Sequence, residues 1–183
     1  FQLARDRASD GGKSKVTLVD KANIFSSMAF FRKVFDEVAQ SHKDIETERL
    51  YVDACALDLV RRPWEFDVLV TENMFGDILS DLAAGLVGGM GFAPSADIGH
   101  SRAVFQPAHG SAPDIAGKGI ANPTAAILSG AMMLDWLGRK HQFDPCIDAA
   151  RSIEGAVEQI LKGGQEAFST TAGMTQRVID AIG

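Results

Sequence analysis

Asp77 and Asp81 lie four residues apart in a segment that reads as a helix, so their carboxylates project from the same face about one turn from each other. Like charges so placed repel, and a hard divalent ion such as Mg²⁺ or Mn²⁺, which takes oxygen ligands, would turn that cost into a site. Two solvated surface aspartates would have the same spacing. The neighbours weigh against that reading, because Ile78, Leu79 and Leu82 make the segment largely apolar. Asp53 follows a short β-rich run, where α/β sheets place their ligands, although a turn or cap residue could stand there too. Lys21 directly follows VTLVD, at the junction of a strand end and a helix start, yet beside Asp20 it could equally be one half of a surface ion pair.

A second concentration of chemistry is the run from His109 to Pro123, HGSAPDIAGKGIANP. Its small residues let backbone approach a ligand closely and offer N–H groups to it, without matching GxGxxG or a Walker loop. An imidazole, an acid and an amide on such a loop could stack on and hydrogen-bond an adenosine, with Asp114 accepting from ribose hydroxyls. A long structural loop is the alternative.

The elements that must position these residues alternate between strand and helix. Val16–Val19 is a strand, and Phe25, Met28, Phe31, Phe35 and Val38 recur at helical spacing after it. Leu50–Val52 reads as a second strand, Ala54–Arg61 as a helix stopped by Pro63, and Phe66–Val70 as a buried strand. Asn73 is expected to cap a helix that reaches Val87 and ends at Gly88-Gly89. The stretch from Gly88 to Gly99 is the candidate domain boundary, Ala103–Phe105 a further strand, and Thr124–Leu137, Pro145–Leu161 and Thr175–Ile182 are helices. The expected class is α/β with a mostly parallel sheet.

Composition narrows the function classes. The chain has 183 residues, 46% hydrophobic and 23% charged, with a net charge of −6. That balance suits a globular protein, and with no Lys/Arg run longer than a pair it argues against a nucleic-acid partner. Cys55 and Cys146 share no metal or disulfide spacing, and no apolar stretch approaches the roughly 20 residues needed to cross a bilayer. A cytoplasmic protein with no membrane contact is expected. The opening FQLARDRASD reads as the end of a helix that starts upstream.

The segments DKAN (20–23), YVDACALDLV (51–60), NMFGDILSDLAAGLVGG (73–89), APSADIG (93–99) and HGSAPDIAGKGIANP (109–123) resemble, in order, the β-decarboxylating dehydrogenases of the isopropylmalate/isocitrate family. The resemblance implies a two-domain α/β fold whose N-terminal half lies upstream of Phe1. Residues 1–87 would belong to the smaller, dimer-forming domain and 88–183 to the larger, nucleotide-binding one. It also implies that Asp77 and Asp81 bind Mg²⁺ or Mn²⁺, with Asp53 contributed by the other subunit of a homodimer, and that Lys21 is catalytic and reaches across the dimer. Asn23 would lie near the nicotinamide, and His109, Gly110, Ser111, Ala112 and Asn122 would form the adenosine loop. Asp114 with Ile115 matches the NAD-preferring form of that loop, for a carboxylate welcomes a ribose 2′-hydroxyl and repels a 2′-phosphate.

The implied reaction is NAD-dependent oxidation of a small di- or tricarboxylic 2-hydroxy acid with loss of CO₂, closest to 3-isopropylmalate in leucine biosynthesis. Isocitrate, homoisocitrate and tartrate or D-malate are the alternatives. Gln106 stands where many members carry Glu, and Ala108 where they carry Val. The substrate-binding arginines and catalytic tyrosine of the family have no counterpart here, so the isolated 183 residues are expected to be inactive. A truncated, non-catalytic subunit and a plain nucleotide-binding module are the competing classes, and the second leaves Asp53, Asp77, Asp81 and Lys21 without a role.

Overall fold

The computed structural model describes residues 1–163 and 170–183, which form two compact units, Phe1–Leu86 and Val87–Gly183. The first unit is built on three parallel strands in the order β2-β1-β3: β1 (Lys15–Asp20), β2 (Glu46–Tyr51) and β3 (Val68–Val70). Central β1 is buried along its length from Val16, whereas β2 is polar through Glu46-Thr47-Glu48-Arg49. That polarity explains why the sequence reading placed the second strand at Leu50–Val52, four residues late at its start. Its charges are paired: Lys15 Nζ lies 2.9 Å from Glu48, and Thr17 Oγ1 donates to the same carboxylate at 3.2 Å.

Four helices surround this sheet: α1 (Gln2–Ser9), α2 (Ser26–Ala39), α3 (Val52–Arg61) and α4 (Asn73–Leu86). Val16, Leu18, Phe35 and Ile45 form one buried cluster with Ala4 of α1, and Val19, Cys55, Leu59 and Leu79 form another. Burial pushes the Cys55 thiol up to about 11, so it is a small apolar core group and not a nucleophile. Asn73 is the first helical residue of α4 and not its cap. The cap is Glu72, whose two carboxylate oxygens accept from the backbone N–H groups of Met74 and Phe75 at 3.0 and 2.8 Å.

Helix α1 is fastened by Arg5, which donates to both oxygens of Asp44 at 2.7 and 2.9 Å and to His42 Nδ1 at 2.8 Å. The guanidinium holds the Asp44 carboxyl at about 2, below its ordinary 3.8. A depressed carboxylate contributes stability above its unfolded value and loses it as pH falls through the folded one. Asp44→Asn should therefore flatten the fall in urea midpoint between about pH 4 and 2, by a small amount because the pair is solvent-screened. Unfolding curves of both forms across that range check it.

The second unit carries an antiparallel pair, β4 (Pro94–Ile98) and β5 (Ala103–Pro107), which packs on α5 (Thr124–His141). The sequence reading missed β4, because proline, serine and aspartate at its start and middle hide a strand inside a turn-rich stretch. Helices α6 (Asp144–Lys162) and α7 (Thr171–Ile182) complete the unit. Both α5 and α7 exceed their expected spans, α5 by running to His141 and α7 by starting at Thr171, where Thr170 accepts from the Gly173 N–H. Gly138 of α5 is buried against the start of α6, and a Cβ there would lie 2.6 Å from Ile147 Cγ1 and 3.1 Å from the Phe143 carbonyl, so only glycine permits this approach.

Candidate active site

Two of the three parallel strands of the first unit deliver candidate residues at their C-terminal ends, and the third leads into the helix that carries Asp77 and Asp81. Lys21 follows Asp20, the last residue of β1; Asp53 stands in the first turn of α3, directly after β2; α4 with Asp77 and Asp81 follows β3. Pairing of Asp20 with Tyr51 sets the first two side by side. Lys21 Nζ donates to Asp53 Oδ1 in a short contact, and this hydrogen bond, helped by the Asp53 backbone N–H, lowers the Asp53 pKa. Lys21 thus does not pair with its neighbour Asp20, which is fully buried and takes Arg32 instead, at 2.7 Å from both Nε and Nη2.

Asp77 and Asp81 are exposed on α4, one helical turn apart, opposite the buried Phe75 and Leu79. Asp77 Oδ2 accepts from Asn73 Nδ2 at 3.3 Å, and neither acid has an ion-pair partner among the described residues. Two exposed, cation-free carboxylates fit a hard divalent ion by their chemistry. Among the described residues no group of three His, Cys, Asp or Glu could hold a metal, so one chain does not bring Asp53 to Asp77 and Asp81.

In the second unit, the loop begins with the Ala108 N–H donating to Ala93 O at 3.1 Å. His109 Nδ1 lies 2.9 Å from Gly110 O, and Ala112 adopts a left-handed conformation that leads into a 3-10 turn, Pro113–Ile115. His109, Gly110, Ser111, Ala112 and Asp114 are exposed, and Ile115 is half-buried. Asp114 has no ion-pair partner among the described residues, which leaves its carboxylate available to hydroxyl donors. Asn122 Oδ1 accepts the Thr124 N–H at 3.0 Å at the start of α5, and its Cβ lies 3.0 Å from where a Cβ on Gly91 would stand. Asn122 therefore shapes the loop's exit. Thr171 closes the loop from α7: its N–H donates to Gly119 O at 2.9 Å and its hydroxyl to Ala121 O. Sequence reasoning missed Arg32, Tyr51, Glu72 and Thr171, since their partners are distant in sequence or lie in the backbone.

The sequence model of the isocitrate/isopropylmalate dehydrogenases matches residues 1–182. The chain belongs to that family. Within the family it is 50% identical over 179 residues to an isocitrate/homoisocitrate dehydrogenase of Thermus thermophilus, covering 93% of this chain and 52% of the relative. It is 51% identical over 165 residues to the 3-isopropylmalate dehydrogenase of Aquifex aeolicus, covering 90% of this chain and 42% of that one. Among solved structures, an isocitrate dehydrogenase from Methylococcus capsulatus superposes with a TM-score of 0.86 at 46% identity, over 99% of this chain and 54% of that chain. The chain thus spans about half the length of the family members it matches. No helix among the described residues is long and apolar enough to cross a membrane.

Proposed function

We propose that the full-length protein carrying this chain oxidatively decarboxylates a 2-hydroxy acid of the 3-isopropylmalate type, with NAD and with Mg²⁺ or Mn²⁺, as a cytoplasmic homodimer. The observation that carries this reading is the C-terminal edge of the parallel sheet, where Lys21 and Asp53 follow β1 and β2 and are hydrogen-bonded to each other, while β3 leads into the helix that carries Asp77 and Asp81. When bound, the metal supplies Lewis-acid polarisation of the substrate oxygens and NAD supplies the hydride acceptor. Asp77 and Asp81 would hold the metal with Asp53 from a second copy. The Lys21 amine, hydrogen-bonded to Asp53, would give or take a proton at substrate oxygen or carbon.

Exposed Leu57 and Val60 on α3 and Met74 and Ile78 on α4 support the homodimer, because large apolar side chains grouped on one unit favour a protein partner. Residues 1–87 would serve that dimer-forming part and 88–183 the nucleotide. His109, Gly110, Ser111, Ala112, Ile115 and Asn122 would cradle adenosine, Asn23 would face the nicotinamide, and Asp114 would accept from the ribose hydroxyls.

Assay of the full-length protein with NAD and Mn²⁺ against 3-isopropylmalate, isocitrate, homoisocitrate, tartrate and D-malate tests the reading. A clear preference for 3-isopropylmalate supports it, and turnover of none of the five rejects it. Asp114→Lys should raise the KM for NAD about tenfold and improve NADP use, as reversing one charge at a 2′-substituent would. Unchanged NAD and NADP kinetics would remove Asp114 from the ribose site.

A further inference from the structure

Lys21 is held from more sides than its ion pair requires. Its backbone N–H lies 3.2 Å from Met28 Sδ of α2, and its carbonyl accepts from the N–H groups of Ile24 and Phe25 at 2.9 and 3.0 Å. Arg32 follows Met28 by one turn on the same face of α2. Its guanidinium is fixed by buried Asp20, which also accepts the Ala22 N–H at 2.9 Å. The Tyr51 ring meets both cations: the Arg32 guanidinium carbon lies 5.2 Å from its centroid and Lys21 Nζ 5.8 Å. Both distances fall within the roughly 6 Å over which a ring face attracts a cation.

Each cation thus has its own carboxylate, Asp20 for Arg32 and Asp53 for Lys21, and the two share one ring. A lysine side chain has four rotatable bonds, and a carboxylate alone leaves several rotamers open to it. The ring, and the guanidinium that also meets it, supply the missing constraint. We propose that Tyr51 and Arg32 are positioning residues that hold the Lys21 amine beside Asp53 in the orientation proton transfer requires. This rests on the reading of Lys21 as the proton-transferring group.

The test compares Tyr51→Leu, Tyr51→Phe, Arg32→Lys and Lys21→Met in the full-length protein. Tyr51→Leu should lower kcat roughly tenfold, within the range that small misplacements of reacting groups cost, with the KM for NAD and the Tm unchanged. Tyr51→Phe, which keeps the ring face, should recover most of that loss. Arg32→Lys, which keeps the charge and loses the two-pronged grip on Asp20, should lower kcat in the same way and serves if Tyr51→Leu fails to fold. Reductive ¹³C-methylation gives a readout without turnover: the Lys21 dimethylamine signal should be ring-shifted in the parent and Tyr51→Phe, and move to the position of a solvated lysine in Tyr51→Leu. Parental kcat and signal in Tyr51→Leu, with Lys21→Met inactive, would overturn the positioning role and leave the Lys21 reading standing. Parental turnover in Lys21→Met would remove both.

Discussion

Lys21→Met in the full-length protein should lower kcat by about 10²–10⁴-fold, the usual range for a positioned proton-transfer group, while leaving the KM for NAD near its parental value. Methionine keeps much of the stem and loses the ammonium, so packing beside Met28 and Tyr51 changes little. The same substitution removes the principal cause of the lowered Asp53 pKa, and that carboxyl should move back up toward its ordinary range. Steady-state kinetics with NAD and metal saturating check the first effect, and carboxyl-selective NMR titration the second. A kcat within about twofold of the parent would take the proton-transfer role away from Lys21.

Asp81→Asn should raise the Mn²⁺ concentration needed for half-maximal activity on the order of 100-fold or more, since losing even a group that only orients a metal ligand costs about 10–100-fold. Asparagine preserves shape and one oxygen, so the loss isolates the charge that a hard cation needs. Asp81 is the sharper choice of the two α4 acids, because Asp77 also answers to Asn73, whereas Asp81 has no hydrogen-bond partner among the described residues. Direct Mn²⁺ titration followed by electron paramagnetic resonance separates affinity from rate. Binding equal to that of the parent would show that Asp81 is solvated surface charge.

Where apolar pattern alone decides structure, the sequence was readable. The FDVLV run carries β3, although the strand is confined to half-buried Val68–Val70, and the alternation of strands and helices marks an α/β unit. Pattern fails where polar residues build a strand, as in Glu46–Arg49 of β2, whose glutamates are answered by Lys15 and Thr17 across the ladder and whose Arg49 donates to Asp36 of α2. It fails again at Pro94–Ile98, which becomes a strand only because β5 lies antiparallel beside it. The candidate site was legible in its residue types and not in its pairings. Asp20 and Lys21 are adjacent letters, yet β1 ends between them, so one carboxylate is buried on Arg32 while the amine turns to Asp53, thirty-two positions on. Spacing on one helix predicts neighbours a turn apart, as it did for Asp77 and Asp81, and says nothing of a partner brought in by the parallel register.

Thr171 gives the second unit a consequence in time. The carbonyls it holds, at Gly119 and Ala121, leave the ribosome about fifty residues before it does. During synthesis the His109–Asn122 loop is therefore complete in sequence long before it is complete in shape, and its closing hydrogen bonds wait for the first turn of α7. A nascent chain stalled before Thr171 would carry every residue of the loop and lack the latch that shapes it.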